Sequence, residues 1–179
     1  PLTITVELCQ VFAVPSTYFM MKRFSALFLT CLFTLAACGQ PMAASGISTE
    51  PQPGVPKGWI TDFEAGLVMA REQGRPLLVK FTGSDWCPPC IRMHEQVDSQ
   101  PAFIDYAAAN LVTVYIDYPR GKPQTEALEE QNRALGERFG ISGVPSVVIL
   151  NPQGELIEKF GYGGENAEDF VARLAAVTD

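Results

Sequence analysis

The segment from Leu77 to Val97 constrains the fold more than any other. Leu77-Leu78-Val79-Lys80-Phe81-Thr82 is apolar and partly β-branched, which predicts a mostly buried strand. Gly83-Ser84-Asp85 supplies a turn, and from Pro88 the apolar spacing becomes helical through Ile91 and Val97. Proline is tolerated in a first helical turn because the N–H it lacks would be unpaired there. Between strand and helix stands Trp86-Cys87-Pro88-Pro89-Cys90. Two thiols at that spacing lie one turn apart and can close a disulfide. Cys87 falls at the helix start, where free N–H groups and the helix dipole favour a negative sulfur. A thiol so placed can ionise between roughly pH 3.5 and 7.5 instead of about 8.5. The segment predicts a reversible dithiol/disulfide couple.

The other cysteines sharpen this reading. There are five, Cys9, Cys31, Cys38, Cys87 and Cys90. Met20-Met21-Lys22-Arg23 followed by the apolar run Phe24 to Leu35 has the charged and hydrophobic regions of an export signal. The run stops at Ala37, short of the ~18 residues of a membrane-spanning helix. Leu35-Ala36-Ala37-Cys38 resembles the lipobox of bacterial lipoproteins, which implies cleavage before Cys38 and acylation of that cysteine. Cleavage by an ordinary signal peptidase near Met42-Ala43-Ala44 is the alternative, although Met fits poorly in a small-residue site. Residues 1–19 precede the charged region and read as upstream sequence, with residues 20–37 as the signal.

Processing at Cys38 would remove Cys9 and Cys31 and leave Cys87 and Cys90 as the free thiols. An exported domain that keeps one close pair and no stapling cysteines points to a working couple. Taking Glu7, Lys22 and Arg23 from 13 basic and 20 acidic residues leaves 11 and 19, a net charge of −8. That balance offers no electrostatic footprint for nucleic acid. It also gives no attraction to anionic lipid, so membrane attachment would depend on the anchor. Residues 38–57 carry Pro41, Pro51, Pro53 and Pro56 with few large apolar side chains, the composition of a tether. A flexible chain of this length spans about 25 Å. Residues 58–179 are enough for one core and one domain.

Within that domain the pattern alternates. Thr61-Asp62-Phe63-Glu64 fits a capping box with Thr61 at the cap, opening a helix to about Gln73 that Gly74 ends. After the strand at 77–82 and the helix from Cys87, broken near Pro101 and resumed through Ala109, Leu111 to Asp117 reads as a second strand. Its Val112, Val114 and Ile116 share one face. Gln124 to Phe139 is helical with Leu128 and Leu135 inward, Val144 to Leu150 a third strand, and Asn151-Pro152-Gln153-Gly154 a tight turn. Glu155 to Phe160 is a fourth strand, and Asn166 caps a last helix.

This order, with CxxC after the first strong strand, resembles the thioredoxin family. Gly143-Val144-Pro145-Ser146 supports the resemblance independently, since thioredoxins carry a cis-proline at that place, facing the CxxC pair. The Phe81-Thr82-Gly83-Ser84-Asp85-Trp86-Cys87 lead-in and the Tyr118–Pro123 loop are similar to the membrane-tethered periplasmic branch. The implied fold is α/β, a central mixed sheet of about four strands with helices on both faces. The implied activity is that of a lipid-anchored periplasmic thiol–disulfide oxidoreductase with no cofactor beyond its own disulfide. Cys87, the exposed member, would exchange with protein thiols and disulfides, and Cys90 would resolve the mixed disulfide. Val144 and Pro145 would hold the substrate chain. Trp86 would flank the thiol as a binding surface or pack as a half-buried aromatic. Pro88 and Pro89 would tune the couple. A membrane electron donor or acceptor would serve it, and Gly39 after Cys38 favours the outer membrane by analogy with lipoprotein sorting.

Three residues need separate treatment. Thioredoxins bury an acid just before the strand's Phe, and here, allowing one extra loop residue, Lys80 stands in that place. A cation there would favour thiolate, whereas a Lys80 at a sheet edge would reach solvent along its aliphatic stem. The second reading is preferred, and Asp85 and Asp117 read as turn residues. His94 is the sole histidine and forms C-x2-C-x3-H with the cysteines. Zinc wants four ligands, so no metal site is expected. A copper(I) chaperone using Cys87, Cys90 and His94 is one alternative function, and a non-catalytic adaptor binding extended peptides at Pro145 is another.

Overall fold

A computed structural model describes residues 54–178. The segment before Met20, the signal at 20–37, Cys38 and the tether as far as residue 53 lie outside the described residues.

The first helix, α1 (Phe63–Gln73), begins one residue later than the capping-box reading placed it. Asp62, not Thr61, is the cap, and its carboxylate accepts from the Ala65 N–H at 3.0 Å. A carboxylate at this end also meets the positive pole of the helix dipole. Gly74 stops the helix in the left-handed region, φ +64°. Strand β1 (Leu77–Thr82) follows with the expected limits, and all six of its residues are buried. The helix carrying the cysteines has three parts. They are α2 (Pro88–Met93), a π-helical turn (His94–Asp98), and α3 (Pro101–Asn110), which restarts at Pro101.

Strand β2 (Val112–Asp117) and helix α4 (Glu126–Arg138) come next, the latter capped by the Thr125 hydroxyl. Strand β3 (Ser146–Leu150) starts two residues after the expected Val144, beyond Pro145, which has no N–H to give a ladder. The turn at Asn151–Gly154 is held by the Asn151 amide oxygen, which accepts from the N–H groups of Gln153 and Glu155. It leads into β4 (Leu156–Gly161). Asn166 caps α5 (Ala167–Thr178), accepting from the Asp169 N–H at 2.9 Å.

The four strands lie in the order β2-β1-β3-β4. β1 pairs in parallel with β2, so the chain crosses over between them through the cysteine-bearing helices. The other two pairings are antiparallel. Alternate side chains feed two cores. Leu77, Val79 and Phe81 meet Phe63, Leu67 and Ala70 of α1 and Leu135 of α4 on one face. Leu78, Val147 and Ile149 meet Met93, Val97, Phe103, Phe170 and Leu174 on the other. The expected mixed sheet with helices on both faces is therefore the observed fold.

Lys80 departs from expectation. β1 is a central strand, so Lys80 has no sheet edge from which to reach water, and its side chain is wholly shielded. It points to the α2/α3 side, where its Nζ bonds the equally buried Asp98 carboxylate.

Candidate active site

β1 and the helix that follows it bring the two cysteines together. Thr82 ends the strand, and the Cys87 N–H donates to the Gly83 carbonyl at 3.0 Å, closing the turn. Cys87 is the helix cap and Cys90 lies in the first turn, with Cα atoms 5.2 Å apart and their sulfurs bonded. The Cys90 N–H donates to the Cys87 sulfur at 3.3 Å. Pro88 and Pro89 occupy the first two helical positions and lack N–H groups. The helix start thus aims one amide at the sulfur where a proline-free sequence would supply more. Pro88 and Pro89 thereby limit which amides reach the sulfur.

Cys87 is also less accessible than expected, at 3% exposed against 1% for Cys90. Its sulfur lies 3.5 Å from the Val144 carbonyl oxygen, in the loop that enters β3, and the Val144–Pro145 bond is cis. In the disulfide this is a contact. In the thiol form the S–H can donate to that carbonyl. Val144 and Pro145 are half-buried beside the pair, so the residues read as a substrate shelf stand next to the sulfur.

Trp86 is half-buried, and its N–H is used inside the fold, donating to the Tyr118 carbonyl at 2.6 Å. The Arg120 guanidinium lies over its ring, 3.9 Å from the centroid. Gly83 leaves room for the indole, since a Cβ there would come within 2.5 Å of the ring. Asp85 accepts from the N–H groups of Arg120 and Gly121, which hold its carboxyl below the usual range. Asp117 accepts from both the N–H and the hydroxyl of Ser84. The Tyr118–Pro123 loop is thereby latched against the turn that presents Cys87. The two aspartates act as connectors between distant segments, a role beyond local turn solvation. Tyr115, on β2 next to Lys80, has its hydroxyl pushed well above its ordinary range, chiefly by burial.

His94 is half exposed, and its Nδ1 lies 3.5 Å from Oδ2 of Asp98, one turn on. Among the described residues no group of three His, Cys, Asp or Glu side chains could hold a metal ion. Asp98, Tyr118 and Arg120 were not singled out from the sequence. The spacing of His94 and Asp98 was a signal for Asp98, whereas Tyr118 and Arg120 entered the sequence reading only as part of the Tyr118–Pro123 loop, with nothing local to mark their contacts to Trp86.

Residues 63–178 match a family model described as a thioredoxin-like domain. Disulfide bond reductase DsbH of Chlamydia pneumoniae is 28% identical over 151 residues, covering 82% of this chain and 90% of its own length. Thioredoxin-related protein DsbJ of the same organism is 31% identical over 122 residues, 68% of this chain. That match covers only 35% of DsbJ, so the chain spans about a third of this relative. Among solved structures, one titled DsbH oxidoreductase superposes with a TM-score of 0.63 at 23% identity, covering 73% of this chain and 91% of the other.

Proposed function

The chain belongs to the thioredoxin-like family and its chemistry is that of a thiol–disulfide oxidoreductase; from that premise we propose that it is a lipid-anchored periplasmic enzyme exchanging disulfides with protein substrates. The Cys87 thiolate attacks one sulfur of a partner's disulfide, forming a mixed disulfide and releasing the partner's other sulfur as a thiolate. Cys90, deprotonated, then attacks the Cys87 sulfur, releases the partner's second thiolate and closes the Cys87–Cys90 bond. Two electrons pass to the partner, and both of its thiolates take up protons from water. A second dithiol returns the pair to its reduced form. Of the two directions we propose reduction of partners, in keeping with the printed name of the relative that matches over most of both chains. In an oxidising envelope that direction requires a membrane donor passing electrons outward.

The observation that carries this reading is the bonded Cys87–Cys90 pair at a helix start, with the Val144 carbonyl 3.5 Å from the first sulfur. Val144 and Pro145 present backbone to an extended substrate chain, while Pro88 and Pro89 limit the amides that reach the sulfur. The lipid anchor at Cys38 is supported by the Leu35-Ala36-Ala37-Cys38 pattern behind a charged and apolar run, and Gly39 favours the outer membrane.

The test is reduction of insulin by the full chain with dithiothreitol as electron source. Turnover should depend on the protein and vanish in Cys87→Ser. A wild-type protein that leaves the insulin lag unchanged overturns the reading. Incorporation of labelled palmitate, lost in Cys38→Ser, tests the anchor separately.

A further inference from the structure

The chain is acidic, with 20 acidic and 13 basic residues, yet the loop latched against the Cys87 turn carries two exposed cations, Arg120 and Lys122. The carboxylates nearest them are already engaged. Asp85 accepts from the N–H groups of Arg120 and Gly121, and Asp117 accepts from Ser84. Lys122 is engaged too, its Nζ donating to the Ser84 hydroxyl at 3.3 Å. Arg120 is the cation left over. Among the described residues its guanidinium has no ion-pair partner and no hydrogen-bond acceptor, only the face of the Trp86 ring.

Its position is fixed although its side-chain donors are free. The guanidinium carbon stands 3.9 Å from the indole centroid, and the backbone under it is tied down through Asp85 and through the Trp86 N–H on the Tyr118 carbonyl. An arginine resting on an aromatic face keeps its planar fork of donors for a carboxylate. Holding that fork in place beforehand lowers the ordering cost of binding. Trp86 adjoins Cys87 in the chain, so the fork stands at one margin of the reacting sulfur, as the Val144 carbonyl does at 3.5 Å. An extended partner chain advances about 3.3 Å per residue. A side chain two or three residues from its reacting cysteine therefore spans the step from Cys87 to the neighbouring indole and its cation.

We propose that Arg120 selects partners carrying an aspartate or glutamate a few residues from the reacting cysteine, its guanidinium pairing with that carboxylate while the disulfides exchange. It is a specificity-determining residue, and the inference rests on the thiol–disulfide reading above. The chemistry is unchanged by it. The reduced Cys87–Cys90 pair gives up two electrons and two protons as its bond forms, and the partner's disulfide takes them up as two thiols. Pairing of a guanidinium with a carboxylate is stronger and more directional than a neutral contact. At an exposed site it weakens as salt rises. Without such a local cation, an acidic chain has no electrostatic reason to favour an acidic partner.

The full chain, reduced and freed of reductant, is mixed with three disulfide peptides that differ only at the position two residues after the reacting cysteine, which is Asp, Asn or Lys. Each rate is divided by that of dithiothreitol on the same peptide, which removes the peptide's own reactivity. Wild type should favour the Asp peptide over the Asn peptide about fivefold, with the Lys peptide slowest, and high salt should shrink the margin. Arg120→Ala should abolish the preference, and Arg120→Glu should turn it toward the Lys peptide. An arginine that only props the indole predicts instead that Arg120→Ala slows all three peptides alike and leaves their ratios unchanged. That result, or wild-type ratios within about twofold of one, overturns the proposal. A wild-type pair that reduces none of the peptides sinks the redox reading itself, a distinct outcome.

Discussion

The sulfur of Cys87 and the carbonyl oxygen of Val144, 57 residues later, lie 3.5 Å apart. That approach joins the redox turn to the loop that enters β3, and it leaves Cys87 only 3% exposed. On the proposal that a substrate disulfide arrives along the Val144–Pro145 backbone, a mixed disulfide on Cys87 would persist if Cys90 could not resolve it. Cys90→Ala should accumulate covalent adducts with partner proteins, visible as dithiothreitol-sensitive bands on non-reducing gels. Cys87→Ser should accumulate none. Adducts on Cys90 in the Cys87→Ser variant would reverse the assigned roles.

Removing one member of the Lys80–Asp98 pair leaves a buried uncompensated charge. Lys80→Met alone should cost about 3–5 kcal/mol of folding stability, and Lys80→Met/Asp98→Leu should recover most of that loss. Urea unfolding of the three proteins checks it. A double variant as unstable as the single would mean that shape, not charge, dominates at this position.

Trp86 has no room to move toward Gly83. A Cβ at residue 83 would stand 2.5–2.8 Å from three indole atoms, and the ring is pinned by the Tyr118 carbonyl and the Arg120 guanidinium. Gly83→Ala should displace the indole and destabilise the fold by about 1–3 kcal/mol, as overpacking commonly does. Tryptophan fluorescence should shift with it, Trp59 serving as the reference in a Trp86→Phe background. An unchanged spectrum would place the Trp86 ring elsewhere in solution.

Asp85 links stability to pH through its grip on the 118–123 loop. Its folded-state pKa lies below the ordinary 3.8 because the N–H groups of Gly121 and Arg120 bond the charged form. A lowered carboxyl pKa contributes stability above the unfolded value and loses it as pH falls through the folded one. Wild type should thus exceed Asp85→Asn by a constant margin above about pH 5, narrowing below 3.8. Thermal midpoints across that range test the sign, and a margin that widens toward low pH contradicts it.

Much of this protein was readable locally. β1 has the limits its apolar run predicts, the cysteines fall at a helix start, and Asn166 caps α5, because each depends on side chains within a turn or so of one another. The same locality explains the small errors. Thr61 and Asp62 are both competent caps, and only the packed helix chooses between them. Val144 looked like strand until Pro145 withheld an N–H from the ladder.

What the sequence by itself determined was the order of elements and the presence of a redox pair, both written in short-range periodicity and spacing. The tertiary structure alone decided which charges are inside and what covers the sulfur. A lysine in an apolar run reads as an edge residue until the sheet puts its strand in the middle and an aspartate 18 positions away meets it. Burial is a property of what packs from elsewhere in the chain, and so is the setting of Cys87, whose sulfur meets the Val144 carbonyl 57 residues on.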